Sequence, residues 1–254
     1  MTMSYRIVYT IIAAASFCII VSCAGGNKVK KQRYNCSAKL SSAIHKYHKK
    51  NYSSAKTMLE DINLQCAGED MLDTAQFYIG MSLLQMKLYP EAKLEFTRLI
   101  QEYPNSPFYE EALFRVAYSV FKGSRSVDRD QTETKEAYRL FSDFLENNPS
   151  SAFADSAQKY LKATVSKLAQ KEFDVARFYQ KIGEKEAAIV YFKTFIKDFP
   201  GSEYTPQARY LLGLALCDLK RMSEAEAVLN EVIAEESKGD IAKKARELLA
   251  RCKE

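Results

Sequence analysis

Residues 89–104, Tyr-Pro-Glu-Ala-Lys-Leu-Glu-Phe-Thr-Arg-Leu-Ile-Gln-Glu-Tyr-Pro, carry a spacing of small and large apolar residues that returns through most of the chain. Ala92, Phe96, Leu99 and Pro104 align with Ala137, Phe141, Phe144 and Pro149, and again with Ala188, Phe192, Phe195 and Pro200. Two copies lack the proline: Ala55, Leu59 and Ile62, and Ala225, Leu229 and Val232. A second small residue stands twelve positions before the alanine in four copies, at Ala43, Gly80, Ala176 and Gly213. In the middle copy Ala117 stands twenty before Ala137, which makes room for eight extra residues.

Intervals of three and four place these residues on one face of an α-helix, and a small residue on each of two consecutive helices lets their backbones cross closely. The unit is a helix hairpin of the tetratricopeptide kind, with small residues at 43, 80, 117, 176 and 213. About five such hairpins are expected. One hairpin cannot bury its apolar face alone, so the five should stack into an all-α superhelix with a curved groove. The charged segment 240–252 is expected to form a helix that caps the far end.

The helices are expected at 34–50 and 53–65, 71–88 and 90–103, 108–122 and 134–148, 153–182 and 184–199, and 206–220 and 222–236. In the turns beginning at Pro104, Pro149 and Pro200, proline ends one helix and a short polar residue is available to cap the next. No proline or glycine interrupts 153–182, so one helix of about 45 Å is expected there, projecting beyond its partner. The eight extra residues fall in the turn of the third repeat, around Asp128, Arg129, Asp130 and Gln131. This segment reads either as a binding loop or as a surface bulge in which Asp130 and Glu133 cap the following helix.

The amino-terminal end is organised differently. Residues 7–22 are almost wholly apolar and follow a single Arg6, too short a run for the roughly 20 residues of a membrane span, and they read as a secretory signal over 1–22. The signal ends Ile-Val-Ser-Cys, similar to the lipobox of bacterial lipoproteins, which makes Cys23 the expected lipid attachment site. A lipidated start and basic linker would then occupy 23–33, with the repeat domain at 34–254. Ala24 after the cysteine resembles lipoproteins forwarded to the outer membrane.

Without Arg6 the 37 basic side chains fall to 36 against 32 acidic ones, too small an excess to argue for nucleic acid. Four cysteines remain beyond Cys23, and an oxidising compartment allows them to pair. Cys36 and Cys66 lie fifteen residues either side of Asn51, where the first hairpin should turn, so two antiparallel helices would bring them together. Cys217 and Cys252 either join the fifth repeat to the terminal helix or stay separate buried thiols. His45 and His48 share one short helix with no cysteine or carboxylate placed to complete a metal site, so no metal and no cofactor is expected.

The lipobox, the five repeats, the Asp-Arg-Asp-Gln-Thr insertion at 128–132, the long fourth-repeat helix and its run Phe-Asp-Val-Ala-Arg-Phe-Tyr at 173–179 together resemble the BamD family of outer-membrane assembly lipoproteins. The resemblance implies a scaffold on the periplasmic face of the outer membrane, helping to insert β-barrel proteins. It implies carboxyl-terminal repeats that dock the POTRA domains of a BamA-like barrel protein, amino-terminal repeats that meet unfolded outer-membrane proteins, and further assembly lipoproteins as partners.

Helix geometry supplies candidate surfaces for both roles. Positions on the first helices that stacking leaves free include Tyr47, Phe77, Met81, Phe114 and Tyr118, an aromatic groove suited to an extended peptide ending in an aromatic residue. About half of these rings are expected to remain exposed. The mixed aromatic and basic set Arg177, Lys181, Tyr191 and Lys193 is the expected surface for the barrel partner. An adaptor coordinating cell-wall synthesis with envelope constriction is the alternative among binding proteins. An envelope enzyme finds no phosphate loop, Gly-x-Ser-x-Gly or His-Glu-x-x-His.

Overall fold

The computed structural model describes residues 34–235 and 239–252; the signal, Cys23 and the linker lie outside them. The described residues form eleven α-helices and no strand. Five hairpins follow one another: α1 (Cys36–His48) with α2 (Tyr52–Gln65), α3 (Leu72–Gln85) with α4 (Tyr89–Glu102), and α5 (Tyr109–Gly123) with α6 (Thr132–Asn147). Then come α7 (Ala154–Lys181) with α8 (Lys185–Asp198), α9 (Thr205–Asp218) with α10 (Met222–Glu235), and the terminal α11 (Asp240–Cys252). No described helix is long and apolar enough to cross a membrane.

The small residues of the repeat are where the helices cross. Ala43, Ala55, Ala92, Ala117, Ala137, Ala176 and Ala188 have no exposed surface. At Gly80 an added Cβ would sit 2.8 Å from the Phe96 ring, and at Gly213 it would sit 2.6 Å from Leu229. Each glycine therefore faces the large residue sixteen positions ahead, on the second helix of its own hairpin, at a distance no methyl group fits.

Four of the five hairpins turn in the same way. The residue in the left-handed region is Lys50, Lys87, Gly183 or Lys220, with φ between 58° and 87°. Its N–H donates three residues back, and the next N–H donates five back, as in Asn51 to Lys46 O at 3.0 Å and Leu88 to Leu83 O at 3.0 Å. This closure satisfies carbonyls that the last turn leaves free. It also ends α1 at His48, two residues before the expected boundary. The third hairpin has the insertion instead, and its helix ends with Ser124 extended.

Between repeats, one device recurs three times. The hydroxyl oxygens of Ser106, Ser151 and Ser202 accept from the N–H groups of Phe108, Phe153 and Tyr204 at 3.1, 3.1 and 3.3 Å. Each aromatic thus fixed stacks on a phenylalanine of the preceding repeat: Phe108 on Phe77 at 4.3 Å, Phe153 on Phe114 at 5.4 Å, and Tyr204 on Phe173 at 5.2 Å. Serine, aromatic ring and phenylalanine form a single joint from repeat to repeat.

The long helix departs from expectation in one respect. Its 28 residues run uninterrupted, about 42 Å. Its first half does not project free, because Ala157, Tyr160 and Leu161 join the core of the third repeat with Phe114, Phe141 and Phe144. Its second half, from Ala169 through Phe173 to Ala176, belongs to the core of repeats four and five. One helix thus connects two apolar cores.

Both ends of the stack are covalently closed. Cys36 and Cys66 are bonded across the first hairpin, with Cα atoms 6.0 Å apart. Cys217 on α9 and Cys252 at the end of α11 are also bonded, 5.7 Å apart, which resolves the two alternatives open for that pair. Ala245 and Leu248 of α11 pack on Leu229 and Val232, so the terminal helix covers the last repeat.

Candidate functional site

The first helices line the inner face: α1 touches α3, α5 touches α7 and α9 touches α11, while no two second helices approach as closely. On this face Tyr47 is half-buried and meets Tyr78, Tyr52 and His48 edge-on, at 5.2, 5.4 and 5.5 Å. Burial pushes its hydroxyl pKa up, against a hydrogen bond with Gln85. Tyr118 meets Tyr160 edge-on at 5.0 Å and shares a hydroxyl hydrogen bond with it, and burial again raises its pKa. The positive field of Arg115 acts on both Tyr47 and Tyr118, in each case lowering the pKa. Its guanidinium is paired with Glu111 at 2.6 Å, a partly exposed contact worth little in stability. Met81 is also partly exposed.

Phe77 and Phe114 do not belong to this surface. They are 5% and 3% exposed, because they are the phenylalanines stacked on Phe108 and Phe153 in the joints between repeats. Tyr78 and Tyr160, which helix geometry did not single out, stand partly exposed with Tyr47 and Tyr118. A signal for the correction exists in the sequence. Phenylalanine stands three residues before the small residue in repeats two, three and four, and an aromatic stands four after the proline that closes each of these repeats.

The insertion is built around Gln131. This side chain is buried, donates to the carbonyls of Ser126 and Arg129 at 2.8 and 3.0 Å, and accepts from the Thr134 hydroxyl at 2.8 Å. Asp130 accepts from the Thr132 N–H at 3.2 Å, and bonds to the Thr132 hydroxyl and N–H hold its carboxyl below the usual range. A bond from the Ser126 hydroxyl does the same for Asp128. Glu133 does not cap the helix; one of its carboxylate oxygens is buried without a hydrogen bond. The long helix holds the loop down, since Lys167 donates to the Ser124 hydroxyl at 2.7 Å and Lys171 to the Asp128 carbonyl at 3.2 Å. Asp128, Arg129 and Asp130 remain exposed, while Gln131 is structural.

The second surface lies where α7 turns into α8. Tyr191 is exposed and stacks flat on Tyr179 at 4.6 Å; the hydrogen bond between their hydroxyls raises its pKa. Beside it Phe178, Ile182 and Val190 are 55%, 52% and 61% exposed. Exposed apolar groups of this kind are candidate interaction sites. The three lie outside the positions of small and large residues that define the repeat, so that spacing did not point to them. Arg177 is exposed, lies 3.7 Å from Asp174 and stands over the Phe173 ring. Lys181 is exposed as well. Lys193 is committed elsewhere: it pairs with Glu224 at 2.8 Å, tying α8 to α10. Arg221 and Lys193 together hold the Glu224 carboxyl at about 2. A cleft of about 570 Å³ lined by Val127, Asp128, Lys171, Phe178 and Tyr179 joins the insertion to this apolar group.

Residues 34–230 match the family described as YfiO, an outer membrane lipoprotein. The chain is 30% identical over 138 residues to the outer membrane protein assembly factor BamD of Caulobacter vibrioides, covering 54% of this chain and 45% of that one. It is 26% identical over 192 residues to the BamD of Rickettsia prowazekii, covering 74% and 76%. The match thus spans about half the length of the first relative and three-quarters of the second. Among solved structures, the TPR2AB domain of yeast Sti1 in its pHSP90 complex is 12% identical, covers 86% of this chain and 83% of that one, and superposes with a TM-score of 0.48. With its matched region extending from the first hairpin into the last, the chain belongs to the YfiO family of outer membrane lipoproteins, whose relatives here are outer membrane protein assembly factors.

Proposed function

We propose that this chain is a non-enzymatic scaffold for the insertion of outer-membrane β-barrel proteins, anchored through Cys23 at the periplasmic face of the outer membrane. The observation that carries the reading is the presence of two separate aromatic surfaces on the two halves of one stack, joined by the uninterrupted α7. The inner face around Tyr47, Tyr78, Met81 and Tyr118 receives an extended segment of an unfolded barrel protein, with ring faces for its aromatic end. The group formed by Phe178, Ile182, Val190 and Tyr191, rimmed by Arg177 and Lys181, docks the POTRA domains of a BamA-like barrel protein. Further assembly lipoproteins complete the complex. Stacked hairpins present surfaces and close no water-free cleft, which fits binding and not catalysis.

Binding of a fluorescent peptide that ends in an aromatic residue tests the first surface. Replacing Tyr78 and Tyr118 by alanine is expected to weaken binding about tenfold or more, the usual cost of removing aromatic anchors. Tyr191→Ala is expected to leave it unchanged. Equal affinity in the wild-type and the double variant would overturn the assignment of the inner face.

A further inference from the structure

The distribution of charge along the chain carries an inference of its own. None of the 32 acidic side chains occurs before Glu60. Residues 24–59 hold nine lysines and arginines and both histidines, whereas the chain from Glu60 onward holds 27 basic against 32 acidic side chains. The excess positive charge of the mature chain is therefore confined to its first hairpin and what precedes it.

In the structure the described part of this charge lies on the first hairpin and its turn. Ala43 is the buried residue of α1, and among the described residues no helix precedes it. Lys39, His45, His48, Lys49 and Lys50 are exposed and Lys46 is partly exposed. Elsewhere ion pairs recur along the stack, as between Lys93 and Glu136, Arg139 and Asp143, Lys185 and Asp218, and Arg209 and Glu231. Among the described residues no carboxylate lies within ion-pair distance of Lys46, Lys49 or Lys50. The helix dipole favours cations in the last turn of α1. It does not account for the absence of acidic residues over 36 positions. Like charges held three and four residues apart repel one another. A surface that keeps them without counter-charges is complementary to an external array of negative charge.

We propose that the basic end of the first hairpin, Lys46 in the last turn of α1 with Lys49 and Lys50 in the turn that follows, docks on anionic phospholipid headgroups and so sets the orientation of the stack on the membrane. The occupant follows from where the surface lies. The inference rests on Cys23 being the lipid anchor, and twelve residues lie between Cys23 and Cys36, at most about 45 Å of extended chain. The tether joins the first hairpin, and no other repeat, directly to the anchor. There each lysine adds roughly five-fold to binding, and the effect falls off within a Debye length of about 10 Å.

The test uses the mature chain produced without its signal and with Cys23→Ser, so that no lipid contributes, and vesicles of phosphatidylcholine alone or with phosphatidylglycerol. Cosedimentation is expected only with the anionic vesicles and is expected to vanish at high salt. The triple variant Lys46→Glu, Lys49→Glu, Lys50→Glu is expected to bind about a hundredfold more weakly, with unchanged circular dichroism. The charge-matched control Lys243→Glu, Lys244→Glu, Arg246→Glu on α11 is expected to bind like the wild type. Equal binding to neutral vesicles, or equal loss in both variants, would overturn the proposal. So would retention on polyglutamate without vesicle binding, which would assign the face to an acidic protein. The anchor stands or falls separately, on incorporation of labelled palmitate into the full chain and its loss in Cys23→Ser.

Discussion

Phe173→Ala is expected to destabilise the mature chain by about 3–5 kcal/mol in chemical denaturation, the range for emptying a buried phenylalanine site. Phe173 is 2% exposed, lies 5.6 and 6.3 Å from the rings of Phe195 and Phe192, and stacks on Tyr204. It sits in the second half of α7, so its loss opens the core of repeats four and five and, through Tyr204, the joint to α9. Five residues along the same helix, Phe178 is more than half exposed, and Phe178→Ala should change stability by no more than about 0.5 kcal/mol. A small loss in Phe173→Ala, or similar losses in both, would contradict the placement of α7 between two cores.

Removing the disulfides should act on the ends alone. In the chain-entropy picture, closing a segment of 30 or 35 residues restricts the unfolded chain by about 3–4 kcal/mol. In a stack whose units touch only their neighbours, the end repeats pack on one side only, and a loss there need not spread inward. Cys217→Ser with Cys252→Ser is therefore expected to raise hydrogen exchange and protease cleavage in α9 to α11, leaving α3 to α6 as protected as before. Cys36→Ser with Cys66→Ser should do the same at α1 and α2. Uniform deprotection of the whole chain, or no change on reduction, would contradict the local role of the bonds.

The helices and their pairing were legible because the repeat is written in residue size. Gly80 opposite Phe96, and Gly213 opposite Leu229, leave no room for another register. The inner surface was legible only in part. Phe77 and Tyr78 are neighbours on one helix, and the choice of which ring faces the core depends on Phe108, a residue of the next repeat held in place by Ser106. That joint becomes readable once the phenylalanine before each small residue is paired with the aromatic after each proline. The surface at Phe178, Ile182 and Val190 could not be found from the spacing of small and large core residues, because it lies outside those positions. Nor could the seat of the first half of α7: an uninterrupted helix was evident from the absence of glycine and proline, but Tyr160 meets Phe141 only because the third repeat ends beside it.

The central claim is that one scaffold holds a client on its inner face and a barrel partner on its α7–α8 turn. Site-specific photo-crosslinking in the native envelope tests this most directly, with the probe at Tyr118 and, separately, at Tyr191. The account predicts a nascent outer-membrane barrel protein trapped at Tyr118 and a POTRA-bearing barrel protein trapped at Tyr191. Capture of the same partner at both positions, or of cell-wall and division proteins instead, would contradict it.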